Sequence, residues 1–248
     1  MLKKWRPFII IISAIVFVVS AGQIAWHYYQ LYAGDRAYED IRDETVAEEP
    51  AAPAEDKFST IGVNFDLLEG INPDIIGWLY IPNTHVSYPI LHGESNQTYL
   101  RTTYDKKSNI LGSIFEDYRN DMDFKDLNTI IYGHNTSTDS MFGSLKKYKA
   151  QDYAEQHPNV QIIRKNDVQV YEIFTVYETL ATSDTYTIKF ASDESYASYL
   201  DAMTSKSLVS IGSPPANGEP IITLSTCTGG AKTMRLVLQA RLIETHTY

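Results

Sequence analysis

Residues 8–26 carry no charge, and no other stretch of this chain constrains its architecture as strongly. A helix of about 20 apolar residues spans the hydrocarbon core of a bilayer, so the run predicts a transmembrane helix. Lys3, Lys4 and Arg6 precede it, and the first acidic residue is Asp35. Basic flanks stay on the cytoplasmic side. Residues 1–7 therefore read as a cytoplasmic basic tail, 8–26 as the anchor, and the remainder as extracellular. A cleaved signal peptide is the alternative, and Ser20-Ala21-Gly22 offers small residues for cleavage. The length of the run, with Trp26, Tyr28 and Tyr29 placed like an interfacial aromatic belt, favours an uncleaved, single-pass anchor.

The next segment, 27–57, changes character. Between residues 35 and 57 there are nine acids and three bases, with prolines at 50 and 53. This composition predicts a solvated juxtamembrane helix over about 35–49, then a flexible Pro/Ala tether. The segment 58–248 carries a net charge of −7 and is long enough to bury a sizeable core. An acidic domain has no basic surface from which to release counterions, which argues against a nucleic-acid partner.

Strand signals dominate 58–248. Runs rich in β-branched and aromatic residues lie at 77–81, 86–90, 113–116, 129–132, 160–164, 168–180, 221–225 and 234–243. Eight strands in a mainly β domain can close into a barrel. Accessory helices are predicted at 64–69, 140–149, 152–157 and 192–205. The last has the clearest signature. Ser192 can cap it, and Asp193 and Glu194 sit in its first turn, where the helix dipole favours negative charge. Tyr196, Tyr199, Leu200 and Met203 then share one face, as core residues would.

Cys227 is the single cysteine, so a disulfide within the chain is excluded; it is either a free core thiol or a nucleophile. A nucleophilic thiol needs a proton-exchanging partner and an oxyanion donor. Six histidines are available for the first role. His27 lies beside the anchor and His246 near the end. His157 precedes Pro158 at a helix end, and His85 and His92 fall in polar, turn-like segments where exposure is expected. His134 follows the apolar run Thr129-Ile130-Ile131-Tyr132-Gly133, at the mouth of a buried strand, with Gly133 allowing close approach. The residues alone leave His134 open between a catalytic and a satisfied structural histidine. Arg235 alternates with Met234 and Leu236; it either faces an open end of the barrel or points to solvent.

These residues form a recognisable set. Thr223-Leu224-Ser225-Thr226-Cys227 with Arg235-Leu236-Val237 resembles the cysteine and arginine strands of the sortases, and Ile131-Tyr132-Gly133-His134-Asn135 is similar to their histidine motif. Asn72-Pro73-Asp74-Ile75-Ile76-Gly77-Trp78-Leu79, Ser113-Ile114-Phe115-Glu116-Asp117-Tyr118-Arg119-Asn120 and Ser140-Met141-Phe142-Gly143 look like the class B branch, as does the helix at 192–205. The resemblance covers roughly 60–245. It implies a closed eight-stranded barrel and a membrane-anchored transpeptidase on the surface of a Gram-positive bacterium.

In that reading Cys227 attacks a sorting signal of a secreted protein after a threonine. His134 exchanges the proton, and Arg235 holds the oxyanion. A bell-shaped dependence of rate on pH follows from the thiol–imidazole pair. The resemblance carries substrate contacts to Asn96, Tyr132, Ser225 and Thr226, and to Thr187 and Ile188 as a groove wall. No cofactor and no metal is implied. The acceptor is an amine of the cell-wall peptide (lipid II or peptidoglycan), which anchors a surface protein, or a lysine amine of a pilin subunit. The loop 228–234 is shorter than in several class B enzymes and contains Gly229-Gly230, which leaves substrate choice open. Two rivals remain: a non-catalytic, membrane-tethered peptide-binding module, and a cysteine hydrolase with water as acceptor.

Overall fold

The computed structural model describes residues 5–48, 61–216, 218–227 and 233–248 (Arg6, Glu48 and Cys227 by backbone alone). The expected tether after residue 49 and the glycine-containing loop 228–232 lie outside them. Helix α1, Arg6–Thr45, is continuous over 40 residues, or about 60 Å at 1.5 Å per residue. Its first half is a candidate membrane span, with Phe8, Phe17 and Trp26 all exposed.

The second half of α1 does not stand in solvent as its charge suggests. Tyr38 and Ile41 are buried in the core of the domain, each 2% exposed. The Tyr38 hydroxyl donates to the Gly112 carbonyl at 2.7 Å, and Arg42 Nε donates to the Ser87 carbonyl at 3.3 Å. Asn109 Nδ2 reaches the Gln30 carbonyl at 2.9 Å. Gly34 permits this approach, since a Cβ there would lie 2.6 Å from Leu111 Cδ1. The expectation of a solvated juxtamembrane helix is therefore corrected. Glu39, Asp40, Asp43 and Glu44 lie on the outward face of a docked helix, while Asp35 is half-buried.

A short antiparallel pair follows, β1 (Val46–Glu48) with β2 (Ile61–Val63), and then α2 (Phe65–Ile71), capped by Asn64. The eight remaining strands are those expected from the sequence: β3 (Ile75–Tyr80), β4 (Ser87–His92), β5 (Ile114–Glu116), β6 (Asn128–Tyr132), β7 (Asn159–Ile163), β8 (Asp167–Leu180), β9 (Ile221–Cys227) and β10 (Met234–Thr247). They close into a barrel in the order β10-β8-β7-β3-β4-β5-β6-β9. The long pair β8–β10 carries two register shifts, and such bulges let long strands bend around a small barrel. Trp78, Leu79, Ile90, Ile114 and Ile131 belong to the hydrophobic core, all fully buried.

Helices pack outside this core. A 3-10 segment (Gly143–Lys149) leads into α3 (Gln151–Gln156), with His157 as its C-cap, as expected. Helix α4 (Asp193–Thr204) begins at Ser192 with a reciprocal capping box to Ser195 and buries the expected face of Tyr196, Tyr199, Leu200 and Met203.

Candidate active site

Strands β6 and β9 run parallel and adjacent, with Tyr132 opposite Ser225. The Gly133 amide donates to the Ser225 carbonyl at 3.2 Å, so the pairing continues past the end of β6. His134 is the next residue, and Cys227 ends β9 two residues beyond Ser225. On the other side β10 runs antiparallel to β9, with Arg235 opposite Cys227. Three residues from distant parts of the chain thus emerge at one end of three neighbouring strands.

That end opens into a cleft of about 200 Å³. Among the described residues it is lined by Asn96, Gln97, Leu100 and Phe115 together with Tyr132, Gly133, His134, Ser225, Thr226 and Arg235. Of the substrate contacts expected from the sequence, the structure brings Asn96, Tyr132, Ser225 and Thr226 together here. Thr187 and Ile188 are not among the lining residues. Ile188 is turned inward, 7% exposed, and the Thr187 carbonyl is held by Asn128 Nδ2 at 2.8 Å. Their neighbour Tyr186 reaches the cleft side instead: its hydroxyl is 2.9 Å from Ser225 Oγ, and its ring stacks on Tyr132.

His134 is half-buried, with Nε2 lying 2.6 Å from the Leu100 carbonyl. A carbonyl only accepts, so Nε2 carries the proton, and in the neutral ring Nδ1 is the bare, basic nitrogen. The backbone just before His134 is closely packed. A Cβ on Gly133 would sit 2.5 Å from Ile114 Cδ1 and 2.6 Å from Phe142, both fully buried. Only glycine lets the chain pass there without displacing the core.

A second cluster lies behind the cleft and was not expected from the sequence. The Asp117 side chain is fully buried and accepts from Arg119 Nε and Nη2, each at 2.8 Å, from Tyr132 Oη at 2.9 Å and from Asn96 Nδ2 at 3.1 Å. Burial alone would push its carboxyl up; these donors outweigh that and hold it below the usual carboxylate range.

Adjacent Glu116 behaves in the opposite way. Burial, and the facing acids Asp126, Asp117, Asp121 and Asp123, push its carboxyl up to about 9. Its Oε2 is 2.7 Å from His92 Nδ1, while Oε1 has no hydrogen-bond partner, which disfavours an ionised form. Burial also lowers His92, so the pair is neutral, with the carboxyl donating to Nδ1. His92 is thus a half-buried strand residue at 17% side-chain exposure, not an exposed turn histidine. β4 runs two residues further than its composition indicates, to His92, because it pairs with β5.

A carboxyl raised in the fold favours the folded state while protonated. Its contribution is complete below the ordinary value of 4.5 and is lost as pH climbs toward about 9. Replacing Glu116 with Gln, which can still donate to His92, is expected to remove that loss. Between pH 6 and pH 9 the melting temperature of the variant should fall about 10 °C less than that of the parent, at roughly 2–4 °C per kcal/mol. Parallel circular-dichroism melts check this, and identical falls would contradict the neutral pair.

The chain belongs to the sortase family: the family model described as the sortase domain matches residues 79–243. Its relatives are class B sortases. It is 35% identical over 220 residues to sortase B of Listeria monocytogenes, covering 85% of this chain and 89% of that protein. It is 32% identical over 182 residues to sortase B of Staphylococcus aureus, covering 73% and 75%. Among solved structures, sortase B from B. anthracis in complex with AAEK1 superposes with a TM-score of 0.75 at 32% identity, covering 88% of this chain and 99% of that one. The Staphylococcus aureus sortase B–substrate complex gives 0.68 at 32% identity, covering 73% and 84%.

Proposed function

We propose that this protein is a membrane-anchored cysteine transpeptidase. It would cleave a C-terminal sorting signal of secreted proteins after a threonine and transfer the acyl group to an amine of the cell-wall peptide. The observation that supports this reading is the pairing of β6, β9 and β10, with Arg235 opposite Cys227 and with His134 and Arg235 lining one cleft at the end of these strands.

The chemistry runs in two balanced steps. The Cys227 thiolate attacks the threonine carbonyl carbon, and the oxyanion forms next to the Arg235 guanidinium. The C–N bond breaks as His134, protonated at Nδ1, gives its proton to the leaving amine. A thioester remains. An incoming amine then attacks it, His134 Nδ1 takes the amine proton, and the thiolate leaves. One amide is exchanged for another through a thioester, so no external energy source is required. The bond from Nε2 to Leu100 keeps the imidazole in the tautomer this sequence needs.

Helix α1 would hold the domain close to the outer face of the plasma membrane, with residues 1–7 in the cytoplasm. That placement suits both a newly secreted protein and a lipid-linked wall precursor.

The test uses the full chain in detergent micelles beside Cys227→Ala. Each is incubated with a library of threonine-containing sorting-signal peptides plus triglycine or pentaglycine, and products are read by mass spectrometry. Cleavage after threonine with ligation of the glycine amine, absent in the variant, is the expected result. Capture on Cys227 without ligation would move the acceptor to a pilin-type lysine amine. No capture by a folded protein would favour the peptide-binding module.

A further inference from the structure

Three separate stretches of chain meet on one side of the cleft: the loop after β4, the end of β6, and the turn before α4. They bring Asn96, Tyr132 and Tyr186 respectively. The first two side chains bond directly to Asp117, the residue that follows β5, and Tyr186 is linked to it through Arg119 by its backbone carbonyl. Its own amide is fixed by the Ile130 carbonyl of β6 at 2.8 Å.

The ties have a direction. Asn96 Oδ1 accepts from the Tyr118 amide at 3.0 Å, and Nδ2 donates to Asp117 Oδ2. Flipping that amide would put two oxygens together and two donors together, so its orientation is fixed. Tyr132 gives its single hydroxyl proton to the same Oδ2. Arg119 grips Asp117 through two nitrogens and extends Nη2 toward the Tyr186 carbonyl at 3.4 Å.

We propose that Asp117 is a positioning residue that sets the hydrogen-bond polarity of the peptide cleft; this rests on the reading of the cleft as a sorting-signal site. With Nδ2 and Oδ1 each half-used, Asn96 presents one N–H and one lone pair side by side. That is the complement of the N–H and C=O of one residue in an extended chain, which point to the same side. Tyr132, its proton committed inward, offers the cleft an acceptor alone and selects a substrate N–H. Through Arg119 the same carboxylate also braces the wall formed by Tyr186. A buried carboxylate is suited to this, because each of its neighbours must point a donor at it.

The test has a structural and a kinetic arm, both on the full chain in detergent micelles. Asp117→Asn keeps the shape and removes the charge. In the structural arm, hydrogen exchange of the Tyr118 amide is followed by NMR. Exchange should accelerate at least tenfold in Asp117→Asn, because the oriented Asn96 acceptor is lost. In the kinetic arm, the best-cleaved library peptide is used. KM should rise about tenfold in Asp117→Asn, the loss of roughly one hydrogen bond, with kcat within about twofold. Alkylation of Cys227 by iodoacetamide should be unchanged. Asn96→Ala should raise KM similarly, and the double variant no further, since the two act as one unit.

Additive effects on KM, or unchanged Tyr118 exchange, would overturn the proposal. If Asp117→Asn does not fold, Asn96→Asp replaces it by setting a second carboxylate against Asp117. KM must then rise more than in Asn96→Ala, and equal values would overturn the assignment. If the parent alkylates at Cys227 but cleaves no peptide, the transpeptidase reading fails separately, and the exchange arm still decides whether Asp117 fixes Asn96.

Discussion

Replacing Cys227 with alanine is expected to abolish covalent capture of a sorting-signal peptide. Replacing His134 with alanine should lower kcat/KM by about 10³-fold, within the range for loss of a positioned acid–base group. The two variants separate the roles. In His134→Ala the thiol remains, so it should still react with iodoacetamide, and intact-mass measurement should show one adduct. The parent rate should be bell-shaped in pH, because one partner must be ionised and the other protonated. The His134 variant should lose that shape. Retained cleavage after threonine in Cys227→Ala would remove the thioester mechanism. A flat pH profile of the parent between 5 and 9 would remove the acid–base role of His134. The geometry gives the reason to expect the larger effect. Nε2 is held by the Leu100 carbonyl, so the imidazole is locked in a single tautomer, and no neighbouring histidine lines the described cleft to replace it.

Regular patterns were readable in the sequence, while features set by long-range pairing were not. All eight barrel strands announce themselves by β-branched and aromatic runs, and α4 by its cap and spacing. Strand pattern alone left His134 and Arg235 open, and it was the resemblance to the sortase motifs that singled them out together with Cys227. Charge concealed the rest. Asp117 and Arg119 sit in a polar, turn-like stretch that looks solvated, although the Asp117 side chain is fully buried. His92 follows the same logic: only the parallel pairing of β4 with β5 brings Glu116 to it. In the wall before α4, strand alternation gives no guide, since residues 184–186 form a 3-10 turn and Tyr186, rather than Thr187 or Ile188, faces the cleft. In the acidic segment the missed signal was periodic. Gly34, Tyr38, Ile41 and Thr45 recur at helical spacing and all lie inward, beneath a composition dominated by acids.

That stripe leads to the second large effect. A protein beginning at Phe58 is expected to melt about 10–20 °C below one lacking only residues 1–26, on the scale of 2–4 °C per kcal/mol. Removing a buried aromatic or isoleucine side chain typically costs about 2–5 kcal/mol, and a whole domain is stable by only about 5–15. Truncation at Phe58 deletes both Tyr38 and Ile41 and uncovers Tyr88 and Tyr104, against whose rings Tyr38 packs. It also takes away β1, the partner of β2. Tyr38→Ala/Ile41→Ala in the longer protein should reproduce most of the loss without any truncation. Melting temperatures within about 3 °C of each other would show that the helix only tethers the domain. Activity should fall with stability, because the same contacts reach the catalytic loop. The Tyr88 hydroxyl, packed under Tyr38 and the Arg42 guanidinium, accepts from the Met141 amide at 3.0 Å. The next residue, Phe142, donates its amide to the His134 carbonyl at 3.0 Å. The second half of α1, which extends into this chain of contacts, is part of the scaffold that holds His134. Activity measured on the shorter protein, even at a temperature where it remains folded, should therefore lie below that of the longer one.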